Sequence, residues 1–225
     1  MTLLGHAPNV QAPMIKINEI FFSIQGESSL VGWPTVFVRT SGCNLRCTYC
    51  DTKYSYVEGA KQDLDPLIQK IRSYPTNHVC ITGGEPLLQK NVLPLMTKLC
   101  DMGCTVSLET SGSLSCKDVD ARVKKIIDVK TPDSGEPYSF LMENLKFSSA
   151  DDEFKFVICS ERDFDWAENF VQTHRLTDRH MVYYSPSFEQ TTPQWLAERM
   201  LSAGTKARLQ LQLHKYIWSP NSRGV

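Results

Sequence analysis

Five apolar, β-branched runs in this chain each stop at a polar break. TVFVR (35–39) enters a stretch rich in Cys, Gly and Asn, and HVCIT (78–82) enters Gly83-Gly84-Glu85-Pro86. TVSLE (105–109) leads to Thr110-Ser111-Gly112, KIIDV (125–129) to Lys130-Thr131-Pro132, and MVYY (181–184) to Ser185-Pro186-Ser187. Helical spacing fills the gaps: Leu64, Leu67, Ile68 and Ile71 share a face within 63–73, as do Leu95, Leu99 and Met102 within 91–102. Further helices are expected over 164–173 and 193–202, and further strands over 15–24, 153–158 and 207–213. Such alternation implies parallel strands joined by crossover helices, hence an α/β fold. About seven strands and five or six helices suit a partial (open) TIM-like barrel, since a complete one typically takes roughly 250 residues. In these folds chemistry sits beyond the carboxyl ends of the strands, so the five breaks are expected to share one rim.

The 225 residues are read as one domain over 14–225 behind a flexible leader over 1–13. Met14 is an alternative start to Met1. The formal charge is 24 − 25 = −1, which supplies no basic field for gripping nucleic acid. No apolar run approaches the ~20 residues that span a bilayer, and the leader has neither a basic n-region nor a long apolar h-region. A cytoplasmic protein without nucleic-acid or membrane partners is expected.

Eight cysteines are many for such a chain. A disulfide scaffold belongs to small secreted domains with poor cores. Three of the cysteines fall together as Cys43-Asn44-Leu45-Arg46-Cys47-Thr48-Tyr49-Cys50, a C-x3-C-x2-C loop with no fourth cysteine nearby. Closed iron–sulfur and structural zinc sites ordinarily take four protein ligands. Three ligands leave one coordination position for something else. A zinc site completed by Asp51 or a distant histidine, or three unrelated loop thiols, are the competing readings.

C-x3-C-x2-C with Tyr49 before the last cysteine, followed by Gly83-Gly84-Glu85-Pro86, resembles the signature of radical S-adenosylmethionine (SAM) enzymes. Within that superfamily Glu19-Ile20-Phe21, Ile24-Gln25-Gly26-Glu27, Phe37-Val38-Arg39, Cys50-Asp51-Thr52, Glu109-Thr110-Ser111-Gly112 and Gln212-Leu213-His214-Lys215-Tyr216 resemble the 7-carboxy-7-deazaguanine synthase family. The likeness runs from about residue 15 to the C-terminus. It implies an open barrel of the radical SAM type and a 4Fe–4S cluster on Cys43, Cys47 and Cys50. It further implies SAM as a regenerated cofactor, Mg²⁺, and conversion of 6-carboxy-5,6,7,8-tetrahydropterin to 7-carboxy-7-deazaguanine with loss of ammonia. That product is a precursor of deazapurines such as queuosine. A homodimer and an electron donor such as flavodoxin or ferredoxin are implied as well.

By the same resemblance, Ile24, Gln25 and Gly26 bind the pterin, Arg39 meets its carboxylate, Thr82 touches it and Thr52 offers a hydroxyl to Mg²⁺. Tyr49, Asp51, Gly84, Glu109 and Lys130 are candidates for SAM, with Ser185, Pro186, Ser187 and Phe188 near the adenine. The SAM-derived radical performs the chemistry, so no side chain is named as catalyst. Another small radical SAM enzyme, such as a glycyl-radical activase, and a non-catalytic metal-stabilised binding module are the alternatives.

Taken singly, other residues have plainer expectations. His214 and Lys215 read as surface residues, and His174 and His180 as structural or surface. Cys80, Cys100, Cys104 and Cys159 read as small buried hydrophobes. Cys116 is unexplained, Phe21-Phe22 and Tyr183-Tyr184 read as core or interface, and the tail over 218–225 has no assigned contact.

Overall fold

A computed structural model describes residues 13–188, 190–220 and 222–225. Apart from Pro13, the leader expected over 1–13 lies outside the described residues. Among the described residues nine strands form one sheet: β1 Met14–Ile24, β2 Pro34–Thr40, β3 Ala60–Asp63, β4 His78–Thr82, β5 Thr105–Thr110, β6 Lys124–Asp128, β7 Glu153–Ile158, β8 Met181–Pro186 and β9 Arg208–Leu209. Six α-helices accompany them among the described residues: α1 Leu64–Arg72, α2 Val92–Asp101, α3 Asn144–Phe147, α4 Glu161–Thr173, α5 Pro193–Ala203 and α6 His214–Ile217. The spatial order is β3-β1-β2-β4-β5-β6-β7-β8-β9, an open sheet.

From β2 to β9 every neighbouring pair is parallel, as the alternation requires. The first edge corrects the expectation. β1 runs antiparallel to both β2 and β3, and β3, a four-residue strand of mostly exposed polar residues, was not expected at all. The strand expected over 207–213 is also cut to two residues: the Gln210 N–H still reaches Tyr184 O of β8, but by Leu213 the backbone has turned to Gly26 O.

Each long helix is placed by its apolar stripe. Leu64, Leu67, Ile68 and Ile71 of α1, and Val92, Leu95, Met96 and Leu99 of α2, pack with Val36, Val38, Val79, Ile81, Val106 and Leu108 of the sheet. Phe164, Ala167 and Val171 of α4, and Leu196 and Met200 of α5, cover Ile127, Phe154, Phe156, Val182 and Tyr184. Each such fully buried aliphatic or aromatic side chain contributes roughly 1.5–3 kcal/mol. Helix α4 begins three residues before the expected start, because Ser160 caps it by accepting from the Asp163 backbone N–H.

Side chains alternate across a strand. With the apolar set turned to the helices, the opposite face carries Phe37 and Arg39, Cys80 and Thr82, Ser107 and Glu109, Ile126 and Asp128, Glu153 and Lys155, and Tyr183 and Ser185. This face is unusually polar, and it is where the site lies. Among the described residues no helix is long and apolar enough to cross a membrane.

Candidate active site

The loop after β2 holds the three close cysteines, and its neighbours fix its shape. The Gly42 N–H donates to Ser55 O at 2.9 Å, Arg46 N to the Glu136 carboxylate at 2.6 Å, and Thr48 N to Ser134 O at 2.9 Å. The Cys43, Cys47 and Cys50 thiols are half-buried and free of disulfides. Burial pushes the Cys47 thiol up to about 11; Lys130 pulls it down, while Asp128, Cys50 and Cys43 push it further. Burial raises the Cys43 thiol too, with Cys50 among the groups adding to the rise.

The loop after β4 packs directly against the cysteine loop. A Cβ at Gly84 would run into the Gly42 carbonyl oxygen and come within 2.6 Å of Cys43 Cβ, so only glycine fits there. The next residue, Glu85, is fully buried and accepts from Leu87 N (3.1 Å), Thr110 Oγ1 (2.9 Å), Ser111 N (2.8 Å) and Ser111 Oγ (2.6 Å). Glu85 thus bolts the loop after β5 to the loop after β4.

Tyr49, between the last two cysteines, meets Lys130 at the end of β6. The ammonium lies 5.3 Å from the ring centroid and 3.5 Å from the hydroxyl, and it pairs with Asp128 at 3.0 Å. Asp128 in turn lies 3.5 Å from Lys155, whose ammonium pairs with Glu27 at 2.6 Å. Burial alone would lower Lys155 and raise Glu27. Their attraction wins in both: Lys155 stays well above its ordinary value and Glu27 is held at about 2. Burial pushes Glu109 up to about 8, with Glu27 and Asp128 adding to the rise against Lys155. A chain of charges therefore connects the cysteine loop to the Ile24–Glu27 segment.

Because β1 is antiparallel, Ile24 pairs with Pro34 at the far end of the sheet, away from the cysteine rim. The segment then returns along the C-terminal residues. Gly26 O accepts from Leu213 N at 3.0 Å, and the His214 ring occupies the place where a Gly26 side chain would stand. Arg39, at the end of β2, gives its Nε to Glu19 at 2.7 Å, and Tyr54 donates to the same carboxylate oxygen at 2.8 Å. Among the described residues Glu19 takes Nε alone, and the two terminal nitrogens form a fork suited to another anion.

Residues 37–172 match the Radical SAM superfamily profile. A Chlorobaculum tepidum protein named 7-carboxy-7-deazaguanine synthase is 42% identical over 220 residues, covering 96% of this chain and 100% of its own. A Koribacter versatilis protein of the same name is 41% identical over 226 residues, covering 94% and 100%. The chain belongs to the 7-carboxy-7-deazaguanine synthase family. The crystal structure of QueE from Escherichia coli has a TM-score of 0.76 over 89% of this chain and 95% of that one; at 24% identity it speaks for the fold alone.

As a radical SAM family, the 7-carboxy-7-deazaguanine synthases use a 4Fe–4S cluster and SAM, and the residues present fit both. Among the described residues no three His, Cys, Asp or Glu side chains already stand together as a metal site, so the fit rests on the donor set: three free thiols within eight residues of one loop suit a cluster with one iron left open. Asp51, the alternative fourth ligand, is engaged by Lys215 at 2.9 Å; burial would raise its carboxyl, and Lys215 instead holds it below its ordinary value. Several buried polar atoms lack a partner among the described residues: Gln25 Nε2, Asp128 Oδ1, Ser185 Oγ and Ser187 Oγ. They are four of ten such atoms among the described residues, and these four lie on segments that face the polar side of the sheet.

Cys43, Cys47, Tyr49, Cys50 and Asp51 lie on the loop after β2, Gly84 on the loop after β4, Glu109 near the end of β5 and Lys130 just after β6, with Thr52 3.8 Å from Cys50 and Thr82 in register with Arg39. Ser185–Phe188 end β8, and Phe188 reaches the rim through Lys215, 5.3 Å from its ring. The expectation for Lys215 and His214 is corrected: the Lys215 side chain is 8% exposed, and His214 packs on Gly26. His180 is buried beside Phe154. Cys80, Cys104 and Cys116 are buried, while Cys100 and Cys159 are only half-buried. Phe21 stacks on Phe37, Phe22 is exposed beside Tyr74, and Tyr183 and Tyr184 are core. Sequence reasoning missed Asp128 and Lys155. Their signal was a charge placed inside an otherwise apolar strand.

Proposed function

We propose that this chain converts 6-carboxy-5,6,7,8-tetrahydropterin to 7-carboxy-7-deazaguanine with loss of ammonia, as a single domain over 14–225. The observation that carries the reading is the Arg39 fork. It is held by Glu19 at the carboxyl end of β2, the strand whose following loop bears the three cysteines. A fixed guanidinium fork is the group suited to a substrate carboxylate.

When bound to the cluster, SAM supplies the radical chemistry, while the protein binds and orients. Gly84, Tyr49, Asp51, Glu109 and Lys130 would hold SAM, with Ser185–Phe188 near its adenine. Ile24, Gln25 and Gly26 hold the pterin ring, Gln25 offering its unpartnered amide, and Thr82 completes that side. Thr52 gives an oxygen to Mg²⁺, a hard ion that shares its other positions with substrate and water. Burial pushes the Glu109 carboxyl up to about 8, so on the SAM side it can offer a proton without adding a full negative charge. The reading includes a homodimer, a flavodoxin or ferredoxin as electron donor, and a cytoplasmic setting.

The deciding experiment is an anaerobic assay of reconstituted protein with SAM, Mg²⁺, reductant and the pterin, followed by mass spectrometry. Carboxy-deazaguanine should form, and Cys47→Ala should abolish it. SAM cleavage with intact pterin would remove the substrate assignment. No SAM cleavage by cluster-loaded protein would remove the enzyme reading.

A further inference from the structure

Helix α6 is a single turn, too short to stand on its own hydrogen bonds. Its position is set by what it docks on, and it docks on both sides of the site. Toward the Ile24–Glu27 segment, Leu213 N donates to Gly26 O at 3.0 Å, the His214 ring covers Gly26, and Gln212 Nε2 donates to Glu27 at 2.9 Å. Toward the cysteine loop, Lys215 pairs with Asp51 at 2.9 Å, one residue after Cys50, and its ammonium lies over the Phe188 ring at the end of β8. Four consecutive residues thus bind the segment assigned to the pterin and two loops assigned to SAM.

Lys215 is the member that crosses from one side to the other. Its ammonium is removed from water, so it is committed to Asp51 and Phe188 rather than free to wander. Any shift of Asp51 or Phe188 on binding SAM must move α6, and with it the bond to Gly26. We infer that Lys215 is a positioning residue that couples the two ligand sites, so that SAM binding at the rim orders the Gln25–Ser28 segment before the second ligand arrives. The identity of that second ligand rests on the proposed function, whereas the coupling does not.

Two equilibrium measurements on cluster-loaded, oxidised protein, which does not turn over, test it. In hydrogen exchange, SAM alone should slow the amides of residues 25–28 in the wild type. In calorimetry, SAM should tighten pterin binding by a factor of about 5 or more, and the pterin should tighten SAM equally, as linkage requires. Lys215→Met keeps the apolar stem and removes the charge. It should retain its iron, lose little stability because the Asp51 side chain is 45% exposed and can be rehydrated, abolish the exchange effect, and bring the ratio close to 1. Lys215→Arg should restore most of both, and Lys215→Gln serves if the methionine variant is poorly folded.

An unchanged exchange response in Lys215→Met or Lys215→Gln overturns the inference. So does a wild type in which SAM leaves residues 25–28 unaffected. A wild type whose residues 25–28 respond to SAM but which binds no pterin keeps the coupling and sinks the function proposed above.

Discussion

Lys155 of β7 and Glu27 of the loop after β1 form an ion pair at 2.6 Å, across 128 residues of sequence. The pair ties the first part of the open sheet to the seventh strand, beneath the rim that carries the cysteines.

Breaking that pair by Lys155→Met leaves a buried carboxylate without its cation. A loss of about 3–5 kcal/mol is expected on the scale of such pairs, read by urea unfolding at pH 7. The pH dependence has a definite sign. The folded-state value of Glu27 is depressed to about 2, so its stabilisation is complete above the ordinary carboxyl value of 4.5 and fades as pH falls toward 2. The stability gap between wild type and Glu27→Gln should therefore narrow on acidification through that window. A gap that widened would contradict the assignment.

Gly84→Ala should separate cluster retention from fold. The added methyl meets the Gly42 carbonyl and Cys43 Cβ, so it displaces the cysteine loop from the outside. Iron and sulfide per chain should drop sharply after anaerobic reconstitution, with far-ultraviolet circular dichroism unchanged.

The cysteines should divide into two groups. Cys43→Ala, Cys47→Ala or Cys50→Ala should each yield colourless or unstable preparations. Cys116→Ala removes a buried thiol far from the loop in sequence; it should keep the brown chromophore and lose about 1 kcal/mol, the usual scale of a core truncation by one small group.

The C-terminal tail is also open to test. Arg223 stacks its guanidinium 3.6 Å from the Tyr54 ring centroid and pairs with Glu58 at 3.1 Å, while Tyr54 holds the Glu19 that orients Arg39. Exposed contacts of this kind are worth about 1 kcal/mol. Arg223→Ala should leave the melting temperature nearly unchanged, yet raise KM for the pterin by about fivefold, the equivalent of that energy. An unchanged KM would place the tail outside the reaction.

Much of this was legible because the strands that matter carry a clear pattern. HVCIT and EFKFVI appear with the bounds expected of them, and α1 follows its four apolar positions. The rim followed from parallel topology, and the cysteine loop from spacing. Strand β3 was illegible because AKQD pairs only with the start of β1 and is largely exposed, so nothing selects an alternating pattern. Asp128 and Lys155 were hidden for the opposite reason. They lie in strands with large buried side chains, where the inward face is polar only because side chains distant in sequence meet there. Lys215 was read as surface because one lysine near a terminus carries no signal of Asp51, 164 positions earlier.

Glu85 gives the site a modular grammar. Its single carboxylate gathers donors from its own turn and from Thr110 and Ser111, while Gly84 beside it leaves no space between its loop and the cysteine loop. Three loops that are separate in sequence are therefore inherited as one piece. Drift in any one of them must be matched in the other two, and an engineer moving this centre to another barrel would have to transplant all three together. New specificity has its freest ground elsewhere, in the segments that meet this block through side chains alone.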